Sequence, residues 1–81
     1  MLKWQKTRRL VRNDGSGVTT YTARGKRQEY TIESRKNAIE HAGRSGVWYH
    51  TEFVLIAGTF KNGYNTLKRC KEVAEEMEAQ A

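Results

Sequence analysis

The chain has one cysteine, two histidines, a single aspartate and no long apolar run. A lone Cys70 forms no internal disulfide. No stretch approaches the ~20 apolar residues of a membrane span. No signal-peptide hydrophobic region follows Met1-Leu2-Lys3-Trp4. These shortages point to a reduced, cytoplasmic protein. With 81 residues the chain makes one small domain, 1–81, with no room for a deep, water-excluding pocket.

Parts for chemistry are equally scarce. Asp14 sits in a turn, and His41, His50 and Cys70 lack metal-ligand spacing. His50 and Glu52 are placed on opposite faces of one strand. The chain offers no nucleophile–base pair, no phosphate loop and no paired carboxylates. No catalytic residue, metal or cofactor is assigned, and a non-enzymatic protein is expected.

What the chain has is positive charge, unevenly spread. Fifteen Lys/Arg against nine Asp/Glu give +6. Residues 1–46 hold eleven against four (+7), and residues 47–81 hold four against five (−1). A chain basic at one end suits an anionic partner, either nucleic acid or an acidic protein surface.

The alternation in residues 18–33, VTTYTARGKRQEYTIE, predicts an antiparallel hairpin about a Gly25-Lys26 type II′ turn. That register sets Arg24 opposite Arg27, Ala23 opposite Gln28, Tyr21 opposite Tyr30 and Thr19 opposite Ile32. Asn13–Gly17 is turn chemistry joining the hairpin to a first strand, about Trp4–Arg12, whose cations suit a sheet edge. Trp4 and Leu10 share one parity of that strand. Residues 34–46 fit either a short helix near 35–42, capped by Ser34, or a polar loop. Val47–Phe60 is the apolar centre, as one strand or two, with Phe53–Ala57 covered on both faces or lying centrally. Lys61-Asn62-Gly63 reads as a turn. Leu67, Cys70, Val73, Ala74 and Met77 recur at helical spacing, so Thr66–Met77 is a helix capped by Asn65 or Thr66. The expected fold is α+β: an antiparallel sheet of about four strands packed by one C-terminal helix. Its core is Trp4, Tyr21, Tyr30, Ile32, Trp48, Phe53, Leu55, Phe60, Leu67, Val73 and Met77, with Cys70 a buried small hydrophobe.

The arrangement Trp4, Tyr21-Thr22-Ala23, Gly25, Tyr30-Thr31-Ile32, Trp48, Gly58, Phe60, Thr66-Leu67-Lys68, Lys71 and Ala74-Glu75 resembles small phage and prophage proteins of actinobacteria. Those are β-meanders closed by one C-terminal helix, mostly of unassigned function. The resemblance implies a phage-type protein acting in the host cell cytoplasm. Gly63–Ala74 is also similar to the last turn and helix of a double-stranded-RNA-binding domain. There Lys68 and Lys71 match basic positions, and Leu67 stands where that family prefers Lys.

Two readings of function follow. The first is a sequence-tolerant nucleic-acid binder using Arg8, Arg9, Arg12, Arg24, Lys26 and Arg27, with Lys68 and Arg69 as a second contact. On the helix, Lys68–Glu72 and Lys71–Glu75 pairs are the plainer account of the same charges. Gly43-Arg44-Ser45-Gly46 matches the GxxG clamp of KH-type RNA binders but reads as a plain turn, because Val47–His50 is not helical. The second reading is an effector that grips a host or phage protein, to blunt a defence or redirect a host factor. Its anchors are Trp48, Tyr49 and Tyr64.

Overall fold

A computed structural model describes residues 2–13, 15–40 and 47–80, with 39, 40, 47 and 48 described by their backbone alone. The chain forms five strands and one helix: β1 (Gln5–Val11), β2 (Gly17–Arg24), β3 (Glu29–Glu40), β4 (Val47–Ala57), β5 (Phe60–Tyr64) and α1 (Leu67–Ala79). The strands make one antiparallel meander in sequence order. The expected α+β fold is therefore observed, with one strand more than about four.

That extra strand is β5. Gly58-Thr59 links Ala57 to its partner Phe60, with Gly58 at φ +61° and no positive φ at Thr59. This is the type II′ pattern expected at Gly25-Lys26. Lys61-Asn62-Gly63, read as a turn, runs inside β5. At Gly25 the φ is not positive, and the loop holds four residues, closed by Gly25 N–H donating to the Gln28 carbonyl at 2.9 Å. Arg24 thus pairs with Glu29, Ala23 with Tyr30, Tyr21 with Ile32 and Thr19 with Ser34. The slip is two residues, one full period of a strand. Tyr21, Ala23, Tyr30 and Ile32 still share a face, but Tyr21 lies diagonal to Tyr30 rather than opposite it.

Residues 34–40, read as helix or loop, continue β3. Pairing with the apolar β4, from Tyr30–Ala57 to Glu40–Val47, outweighs the weak local preference of Ser34-Arg35-Lys36-Asn37. The remainder of that stretch, 41–46, lies outside the described residues, and with it His41 and the GxxG match. β2 ends at its Gly17–Lys36 pair and β5 at its Tyr64–Phe53 pair, so β3 and β4 run on as a two-stranded ribbon. The molecule is accordingly long, 50 × 20 × 20 Å. Its radius of gyration is 14.8 Å, against about 12 Å for a spherical domain of this length.

The helix forms as its stripe predicts. Thr66 caps it, with Oγ1 accepting from Arg69 N–H at 3.1 Å. Cys70 and Ala74 face the sheet and, with Ala23 and Ala57, let α1 lie close on Tyr30, Ile32 and Leu55. The N-terminal segment covers the adjoining surface. Leu2 is buried and donates its backbone N–H to the Glu75 carboxylate at 2.7 Å, while Trp4 packs on the core with its Nε1 buried and unpartnered. Tyr21, Phe53, Leu67, Val73 and Met77 complete the packing, and Tyr64, read as an exposed anchor, joins them. Phe60 does not. It opens the edge strand directly after a turn and is 36% exposed. Trp48 lies on β4 opposite Ile39, its side chain outside the description. β4 is internal, between β3 and β5, and its Val54 and Ile56 are half-buried on the face away from the helix.

Candidate nucleic-acid interface

The sheet has a helix-bearing face and an open face, and a bulge in β1 decides how the cations divide between them. Lys6 pairs with Tyr21 and Arg8 with Thr20, so Thr7 is the extra residue. Its Oγ1 donates to the Thr20 carbonyl at 3.3 Å, which pins the bulge. Beyond it the alternation inverts. Lys6 and Arg9 therefore share the helix-bearing face, and Arg8 and Leu10 go to the open one. Trp4 and Leu10, expected on one parity, are separated: Trp4 packs on the core and Leu10 is exposed.

The registers order the helix-bearing face in rows. One runs Lys6, Tyr21, Ile32, Leu55; the next Arg9, Thr19, Ser34, Phe53; the next Val11, Gly17, Lys36, Thr51; then Ala38 and Tyr49. Helix and N-terminal segment cover the first of these, Phe53 of the second packs on the core, and Arg9 and the rows beyond stay open. Lys6 Nζ and, from the helix, Lys71 Nζ each lie 5.9 Å from the Tyr21 ring centroid. Lys36 Nζ lies 4.4 Å from the Tyr49 centroid, within cation–π range. Between these groups is a shallow hollow of about 350 Å³, walled by Arg9, Lys36, Thr19, Ser34 and Thr51 and floored by Gly17.

Both faces carry cations, but they differ in how those cations are mixed with carboxylates. No strand residue with a described side chain on the helix-bearing face is a carboxylate. The open face interleaves Arg8, Arg24, Arg35, His50 and Lys61 with Glu29, Glu33 and Glu52. There Arg35 pairs with Glu33 at 3.0 Å and His50 Nε2 lies 3.6 Å from Glu52. His50 and Glu52 thus share a face, contrary to expectation, because two residues make one strand period.

The basic residues singled out in the sequence do not form one patch. Arg9 stands opposite Thr19, five residues along β2 from Arg24, which is about 17 Å. Arg12 is in the β1–β2 turn beyond it, donating its N–H to the Ser16 carbonyl at 2.7 Å. Arg24, Lys26 and Arg27 gather at the opposite end, where Lys26 N–H donates to the Glu78 carboxylate at 3.0 and 3.1 Å. Lys68 and Arg69 are exposed on the first helical turn. Arg69 lies 3.8 Å from Glu72 and 3.9 Å from Glu76, and these replace the expected Lys68–Glu72 and Lys71–Glu75 pairs. Lys71 turns to Tyr21 instead, and Glu75 to Leu2. Of the predicted cations, only Arg9 lies on the open part of the helix-bearing face. Lys6, Lys36 and Lys71 were absent from the predicted site. Reading 34–40 as strand would have placed Lys36 on the parity of Tyr30 and Ile32.

Among the described residues no group of His, Cys, Asp or Glu is placed to hold a metal ion. No described helix is long and apolar enough to cross a membrane. Comparison with protein-family models, curated proteins and solved structures gives no match.

Proposed function

We propose that the protein is a sequence-tolerant nucleic-acid binder whose contact surface is the helix-bearing face, with Lys6, Arg9, Lys36 and Lys71 meeting the phosphate backbone. The observation that carries this reading is the sorting of charge. Among the strand residues of this face whose side chains are described, the cations stand without carboxylates, so their potential adds. On the open face three interleaved glutamates offset most of it. Thr19, Ser34 and Thr51 supply hydroxyl donors that fit phosphate oxygens and carry no base preference. Arg24, Lys26 and Arg27 belong to the other end of the sheet and act as general charge.

The alternative, an effector of phage type that grips a protein, rests on the aromatic anchors. Tyr64 is packed on the core, and Tyr49 lies beside a lysine on the cationic face. The packing of Tyr64 favours the nucleic-acid reading, whereas Tyr49, 45% exposed as an anchor would be, fits either.

The test is binding of labelled duplex and single-stranded DNA and RNA at low salt. Arg9→Glu with Lys36→Glu should abolish binding, and Arg24→Glu with Arg27→Glu, the same change in net charge, should weaken it only modestly. Equal losses refute the assignment of the face. No binding of any nucleic acid by the wild type refutes the function and leaves an acidic protein surface as the partner class.

A further inference from the structure

Resting on that reading, the geometry points to a nucleotide subsite that favours single strands, with the phosphate in the Arg9–Lys36 hollow and the base against Tyr49. The hollow is about 350 Å³, near the lower limit of small-ligand sites, roughly 300–1,000 Å³. Arg9 and Lys36 stand on opposite sides of it. Their backbones are two strand spacings apart across the sheet, about 10 Å, and two residues apart along it, about 7 Å. Both side chains border the space between them, where one anion would meet both. Thr19, Ser34 and Thr51 line the same space with hydroxyls that donate to phosphate oxygens.

Tyr49 gives the hollow its second chemistry. It is 45% exposed, large for an aromatic on the same face as the core, and precedes Thr51 by one strand period. Its hydroxyl lies beside Gly15, which also lines the hollow, so the ring is held at the rim. Lys36 stands over the ring and borders the hollow as well. On binding, Lys36 would pass from the ring to the phosphate beside it and leave that ring face to the base. A duplex keeps its bases stacked inward and cannot present one to Tyr49, whereas a single strand can, and aromatic stacking of this kind is indifferent to base identity.

The experiment uses the full chain, a labelled oligothymidylate of about twelve nucleotides, a duplex of equal length, and thymidine monophosphate as competitor. The wild type should prefer the single strand. Tyr49→Ala should weaken single-strand binding by about five- to a hundredfold and duplex binding by less than about twofold. Tyr49→Trp should retain the single-strand affinity. The monophosphate should compete only at far higher concentration, since it lacks the neighbouring phosphates. Equal wild-type affinity for single strand and duplex, or a Tyr49→Ala loss equal on both, overturns the subsite while leaving the proposed function standing. Competition by the monophosphate at concentrations matching the oligonucleotide also overturns it, in favour of a free-nucleotide site. Absence of binding to both nucleic acids overturns the function and the subsite together.

Discussion

The Tyr49 hydroxyl lies 2.5 Å from where a Cβ on Gly15 would stand. Gly15 is in the β1–β2 turn and Tyr49 on β4, so the contact crosses β3 and ties the outer hairpin to the ribbon. Gly15 is also at φ +87°, in the left-handed region. Two independent demands fall on one residue: a backbone conformation that L side chains rarely adopt, and a space already filled by a ring.

Gly15→Ala should therefore destabilise the fold by about 1–3 kcal/mol. In a Tyr49→Ala background the steric part vanishes and the φ part stays, so the cost of Gly15→Ala should fall but not disappear. Denaturant unfolding of the two single variants and the double variant measures this. Additive costs would show that the ring does not press on the turn.

Glu75 holds the N-terminal segment to the helix through the Leu2 N–H. Removing the acceptor leaves a part-buried donor unpaired. Glu75→Ala should cost about 1–2 kcal/mol, and Glu75→Gln, which keeps a carbonyl oxygen, less. Amide exchange at Leu2 gives a local readout. It should be slow in the wild type and fast in Glu75→Ala, and unchanged exchange would contradict the contact.

Cys70 is fully buried, and burial pushes its thiol pKa up from the ordinary value of 9.0. The folded state then holds the proton at pH values where the unfolded chain releases it. More protons bound to the folded state means stability that is present below the ordinary thiol range and lost as pH rises through it. Cys70→Ala should be less stable than wild type at pH 7, by about 1 kcal/mol for the small volume lost. The gap should narrow on going to pH 10, where only the wild type must keep a thiol from ionising. Unfolding curves under reducing conditions at both pH values decide it. A gap that is constant or widens contradicts the burial argument.

Which features could be read from the chain follows from how locally each is encoded. The α1 stripe is local, and it appeared as read. The faces of β2 and β3 were legible because alternation survives an even slip, although Gly25-Lys26 is not the turn. The β4–β5 turn was missed because Gly58-Thr59 competes with Lys61-Asn62-Gly63, which has stronger turn chemistry but sits in an edge strand. β3 beyond Glu33 carries no apolar alternation, and only its pairing with β4 makes it a strand. The bulge at Thr7 has no glycine to announce it. The charge of the site was therefore visible, and its allocation to a face was not.

Counterion release turns that allocation into a number. If Lys6, Arg9, Lys36 and Lys71 each meet one phosphate, log affinity for duplex should fall with log salt at a slope of about −3.6, and for a single strand at about −2.8. Arg9→Gln with Lys36→Gln removes two contacts and should bring the duplex slope to about −1.8. Arg24→Gln with Arg27→Gln removes the same net charge at the far end of β2. It should lower affinity slightly and leave the slope near −3.6, because those side chains displace no condensed ions. Affinity titrations of the three proteins across a salt series separate contact from background charge. Equal slopes for the two double variants would mean that the cations act as a diffuse field, with no particular face meeting the phosphates.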